Sequence, residues 1–127
     1  MVSVEYIHRF LTSLGFTVIV ETIVLFILLM LALRRRDIPP LRIALAGFFA
    51  SFSTVPYVWF VFPFIRDWSR DTSFLLSEPF VFIVEAVFYR LFLKLDWRIA
   101  FAASLVCNLA SYLLGPFLRA YGLWLYW

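Results

Sequence analysis

Apolar positions fall into four long runs bounded by basic residues, at 10–33, 43–65, 72–93 and 99–118. A helix rises about 1.5 Å per residue and a hydrocarbon core of about 30 Å needs about 20 residues, so each run is long enough to cross a bilayer. The pattern predicts an all-α integral membrane protein of four transmembrane helices, at about 10–33, 43–65, 74–95 and 99–121, in one domain over 1–127. A barrel strand would alternate apolar and polar residues, whereas 23–33, IVLFILLMLAL, is apolar throughout. Only a helix satisfies its own backbone in such a run.

The connections are short. Arg34-Arg35-Arg36-Asp37-Ile38-Pro39-Pro40 ends the first helix, because proline lacks a donor and biases the residue before it away from helix. Residues 66–73 separate the second and third, with Asp71, Thr72, Ser73 and Ser77 as candidate N-caps, and Ser77-Glu78-Pro79 reads as a helix start. Lys94-Leu95-Asp96-Trp97-Arg98 joins the third to the fourth. Links this short set neighbouring helices antiparallel, in two hairpins. The first run far exceeds the core of a cleaved leader and is preceded by Glu5 beside Arg9, so it reads as a retained helix.

Composition sharpens the class. With 65% apolar and only 15% charged residues in 127, the chain carries more apolar surface than a soluble globule of this size can bury. The loops after the first and third helices hold Arg34, Arg35, Arg36, Arg42, Lys94 and Arg98, and the opposite face holds Arg9, Arg66, Arg70 and Arg119. By the positive-inside rule the protein is a multi-pass cell-membrane protein with both hairpin loops cytoplasmic and both termini outside. Trp68, Trp97, Trp124 and Trp127 fall at the expected interfaces, and Trp59 falls inside a helix. The net charge of +3 sits at helix ends and suits lipid headgroups, and no nucleic acid partner is expected.

A single histidine, His8, and a single cysteine, Cys107, leave no haem pair, zinc cluster or disulfide. With no Ser/His/Asp set and no phosphate loop, an enzyme is not expected, and no metal or cofactor is implied.

The two halves carry a short repeat. RIALA at 42–46 matches RIAFA at 98–102, offset by 56, and Ile19-Val20-Glu21 matches Ile83-Val84-Glu85, offset by 64. The spacing of Gly47, Ser51 and Thr54 recurs in Ser104, Asn108 and Ser111, offset by 57. The longer loop of the first half accounts for the difference, and the halves would be related by an axis along the membrane normal.

Glu21 and Glu85 lie deep in their runs. An acid there costs about 2.5–3.5 kcal/mol on the insertion scale, so it faces the bundle interior, pairs, or stays protonated. Glu78 and Tyr89 share the Glu85 face of the third helix by helical spacing. Ser104, Asn108, Ser111 and Gly115 form a small polar stripe on the fourth, suited to close packing and to an acid partner. Arg90 lies off the Glu85 face and should reach the headgroups, and Pro56 should kink the second helix near Ser53 and Thr54. The expectation is a transporter or channel-like carrier for a proton, small cation or small solute. It would use Glu21 and Glu85 with Asn108, Ser104 and Ser111, embedded in the lipid bilayer and assembled as a homo-oligomer or with a partner membrane subunit. The alternative is a non-transporting accessory or assembly subunit of a larger membrane complex.

Overall fold

A computed structural model describes residues 2–65 and 70–122. Helix makes up 85% of the structure, with no strand among the described residues. Helix α1 spans Val4–Phe26, α2 Pro40–Phe60, α3 Arg70–Phe92 and α4 Trp97–Ala120. Three stretches, Val4–Ala32, Pro40–Phe64 and Trp97–Ala120, are long and apolar enough to cross a membrane. Trp68, Trp124, Trp127 and Arg66 lie outside the described residues.

The helix ends have local causes. At the start of α1 the Ser3 hydroxyl accepts from the Tyr6 amide at 3.1 Å, satisfying one of the first-turn donors that a helix leaves open. The end of α1 continues into a π-helical stretch, Ile27–Ala32, and Arg34 follows at φ 51°. The Asp96 carboxylate accepts from the Arg98 amide at 3.3 Å and starts α4. One expected boundary is corrected. Helix α3 begins at Arg70, so Thr72, Ser73 and Ser77 are interior helical positions, and Pro79 sits more than two turns inside. Proline removes one intrahelical donor, but the helix runs through it, and Ser77 is fully buried.

The helices form a ring in which α1 packs on α2 and α4, and α3 packs on the same two. Tyr6 bonds the Trp59 carbonyl, Thr22 meets Gly47, and Glu21 meets Ser51. Early α1 therefore touches late α2. The interior holds polar side chains beside an apolar core, and the outside is apolar. Ser13, Glu21, Ser51, Thr54, Ser73, Ser77, Glu85 and Ser104 are buried, while Leu11, Ile19, Leu31, Leu75, Ile83, Leu91, Leu105 and Leu113 each expose half or more of their surface.

The repeat is visible in burial, with one correction of register. Glu21, Leu25 and Leu29 are buried like Glu85, Tyr89 and Leu93, offset by 64. Ile43, Ala46 and Ala50 are buried like Ala100, Ala103 and Cys107, offset by 57. The RIALA and RIAFA segments, offset by 56, are thus one residue out of structural register. Their shared arginine comes just ahead of the first buried residue of α2 and of α4, Ile43 and Ala100. The surplus of the first half also lies partly in helix: Glu21 precedes the left-handed Arg34 by four more residues than Glu85 precedes Lys94, the matching left-handed residue.

In the first loop the Arg35 guanidinium donates to both Asp37 carboxylate oxygens, at 2.9 and 2.8 Å. These bonds hold the Asp37 carboxyl down from 3.8 to about 2. A depressed acid adds stability above its unfolded value and loses it on protonation, so this contribution is present above pH 3.8 and lost as pH falls through about 2. NMR titration should find Asp37 near that value in the wild type and in the ordinary aspartate range in Arg35→Gln. A Cβ on Gly47 would lie 2.6 Å from Thr22 Oγ1 and 2.8 Å from Thr22 Cα, so α1 would have to move. Gly47→Ala should cost about 1–3 kcal/mol of bundle stability, read by unfolding in detergent. Gly15→Ala, with open space around it, should cost nothing.

Candidate functional site

Glu21 on α1 and Glu85 on α3 sit on diagonally opposite helices of the ring, 1% and 0% exposed. Each draws donors from both helices that separate them. Ser51 Oγ of α2 donates to Glu21 Oε2 and Ser111 Oγ of α4 to Glu21 Oε1, both at 2.7 Å. Thr54 Oγ1 of α2 donates to Glu85 Oε1 at 3.0 Å, and Asn108 Nδ2 of α4 to Glu85 Oε2 at 2.6 Å. The two sets correspond through the repeat. Ser51 matches Asn108 and Thr54 matches Ser111, both offset by 57, so each glutamate takes the Ser51 or Asn108 position from its own half and the Thr54 or Ser111 position from the other.

The donors are held by a further layer of bonds. Asn108 also donates to the Ser104 carbonyl at 2.9 Å, and Ser104 Oγ donates to the Phe82 carbonyl at 2.9 Å, tying α4 to α3. Ser104 thus supports Asn108 and has no bond to a carboxyl. Cys107 Sγ approaches the Glu21 carbonyl at 3.6 Å. Pro56 leaves the Phe52 carbonyl without its usual donor, but the hydroxyls of Ser53 and Thr54 turn to the carbonyls of Ala50 and Ser51. The Tyr89 hydroxyl is fully buried and faces the Cys107 thiol, a weak acceptor, with no hydrogen bond of ordinary geometry among the described residues.

A cavity of about 90 Å³ joins the acids, lined by Glu21, Glu78, Glu85, Asn108 and Ser111 with Ser13, Thr17, Trp59 and Tyr112. These residues extend from the glutamates toward the start of α1 and the end of α2. On the other side Leu25, Leu29, Ile43, Tyr89 and Leu93 close the core. A second, apolar hollow of about 740 Å³ lies between α3 and α4, lined by Leu75, Phe82, Leu105 and Leu109. Glu78, Asn108 and Tyr112 border both spaces.

Glu21, Glu85, Asn108 and Ser111 meet as one network, Glu78 lines its cavity, and Tyr89 lies beneath it in the closed core. Arg90 is held elsewhere, its guanidinium 5.7 Å from the Trp97 ring centroid at the loop end. Two carboxyl partners, Ser51 and Thr54, did not stand among the sequence candidates, although the repeat pairs them with Asn108 and Ser111. No three acids, histidines or cysteines among the described residues gather as a metal site. Compared with family models, curated proteins and solved structures, the chain has no significant match.

Each donor joins two helices through a carboxyl, and interhelical hydrogen bonds of this kind are worth about 0.6–2 kcal/mol in membrane proteins. Unfolding in detergent should show losses in that range for Ser51→Ala, Thr54→Val and Ser111→Ala. Asn108→Ala should show the largest loss, because that amide also anchors Ser104. Ser53→Ala, which touches only its own helix, should show none.

Proposed function

We propose that the chain is a small polytopic membrane protein, crossing the bilayer four times in two antiparallel hairpins, that moves a proton, small cation or small solute past Glu21 and Glu85. The observation that carries this reading is the pair of fully buried carboxyls on one small cavity, with Glu78 in the same lining. Placement in lipid is supported by the apolar exterior around a core that holds polar side chains, the reverse of what water selects. It extends to α3, the one helix outside the three apolar spans. Its 23 residues reach about 34 Å, its polar Ser73, Ser77 and Glu85 point inward, and Leu75, Ile83 and Leu91 point outward. A cavity of about 90 Å³ passes nothing larger than a few waters, so larger cargo requires a path between hairpins or at a homo-oligomer interface. The arginine-rich loop sets both hairpin loops in the cytoplasm and both termini outside.

A non-transporting accessory or assembly subunit is the second reading. The observation that favours it is the apolar hollow between α3 and α4, which has the lining of a seat for a partner helix. Its weakness is that both glutamates find donors within this chain and need none from a partner.

Flux into proteoliposomes separates the two. Wild-type protein is expected to carry pH-dependent flux, and Glu21→Gln and Glu85→Gln to lose it at least tenfold while staying folded by circular dichroism. Wild-type protein that is folded, stable and inert alone would favour the accessory reading.

A further inference from the structure

The atoms around the two carboxyls distinguish between the cargoes named above, and the inference rests on that reading of the site. Ser51 Oγ lies 2.7 Å from Glu21 Oε2 and 3.0 Å from the Gly47 carbonyl. Ser111 Oγ lies 2.7 Å from Glu21 Oε1 and 3.0 Å from the Asn108 carbonyl. Thr54 Oγ1 lies 3.0 Å from Glu85 Oε1 and 3.1 Å from the Ala50 carbonyl. A hydroxyl has one proton to donate and lone pairs to accept, and a carbonyl only accepts. Each hydroxyl can therefore donate to a charged carboxylate, or turn its proton onto the carbonyl and accept from a protonated acid, with no heavy atom moving.

Asn108 behaves differently. Its Nδ2 also faces the Ser104 carbonyl, an acceptor only, so the amide presents N–H to Glu85 Oε2 in either state. A proton on Glu85 must then sit on Oε1, facing Thr54, while a metal cation at Oε2 would meet the positive end of that N–H dipole. A separate observation points the same way. The buried Tyr89 hydroxyl faces the Cys107 thiol, has no hydrogen bond of ordinary geometry among the described residues, and lies four residues after Glu85 on the same helix face. A thiol is a weak acceptor, and a charged Glu85 is the stronger acceptor on that face.

We infer that the species held here is the proton, one on Glu21 and one on Glu85, and that the surrounding hydroxyls reverse their hydrogen bonds as each carboxyl gains or loses it. On release the acid O–H bond breaks, its electron pair stays on the carboxylate, and the proton passes to water entering beside Glu78. The titratable groups around the pair are Glu78 and Tyr89 from α3 and Cys107 and Tyr112 from α4; α2 offers hydroxyls.

Infrared difference spectra of the full chain in liposomes, recorded while pH is stepped, test this. Two protonated-carboxyl C=O bands are expected, one lost in Glu21→Gln and the other in Glu85→Gln. Thr54→Val should shift only the Glu85 band, Ser51→Ala and Ser111→Ala only the Glu21 band, and Thr54→Ser should restore the wild-type position. Tyrosine bands absent from Tyr89→Phe should change in step with Glu85. Absence of protonated-carboxyl bands at every pH, bands indifferent to Thr54→Val, or their displacement by sodium or potassium at fixed pH would overturn the assignment. Bands without flux would overturn transport and leave the proton site standing; flux without bands would do the reverse.

Discussion

Two carboxyl groups almost wholly buried between helices impose the constraint on which this bundle depends. A buried polar group without partners is expensive, and a carboxyl has two oxygens to satisfy. Here the partners come from the neighbouring helices: Ser51 and Thr54 from α2, Ser111 and Asn108 from α4. Satisfying the acids and assembling the four helices are therefore the same event. That explains why the best-buried polar positions of all four helices lie on the faces that meet, and why the outer surface is left to leucine, isoleucine and phenylalanine.

The internal symmetry of the network limits how such a site works. Exchanging α1 with α3 and α2 with α4 maps each glutamate and its donors onto the other set, with asparagine standing for serine in one place and threonine for serine in the other. On the carrier reading, with the halves related by an axis along the bundle, swapping their conformations leaves the cavity open at the same end. An inverted repeat reaches its opposite-facing state by such a swap; a parallel one does not. On the carrier reading, reaching the other face requires the layer of Leu25, Leu29, Tyr89 and Leu93 to part. The departures from symmetry are then informative. Glu78 has no acidic counterpart, since position 14 is leucine, and it stands only at the open end, bordering both hollows. Tyr89 takes the place of Leu25, putting a hydroxyl into one half of the closing layer.

Much of the fold was legible because apolar runs and charged punctuation are local signals. The helix count and the identity of the two acids follow from them, but the start of α3 did not. Ser77-Glu78-Pro79 has the chemistry of a helix start, and only packing, which buries Ser77 completely, makes it interior. The π-helical end of α1 has no local signature either, and the matching letters of RIALA and RIAFA stand one residue away from the register in which α2 and α4 are buried. Ser51 and Thr54 were readable only as repeat equivalents of Asn108 and Ser111, because a serine or threonine in an apolar helix bonds its own backbone as readily as a partner.

What the sequence by itself determined is that the chain has four helices, an apolar exterior to hide from water, and two acids too deep to leave unsatisfied. These are properties of single segments, set by residue spacing along one helix. Which donor meets which carboxyl oxygen was decided by the tertiary structure alone, because that depends on the register between helices far apart in the chain. The same register sets the Tyr89 hydroxyl against the Cys107 thiol, one turn from Glu85, and closes the cavity at one end.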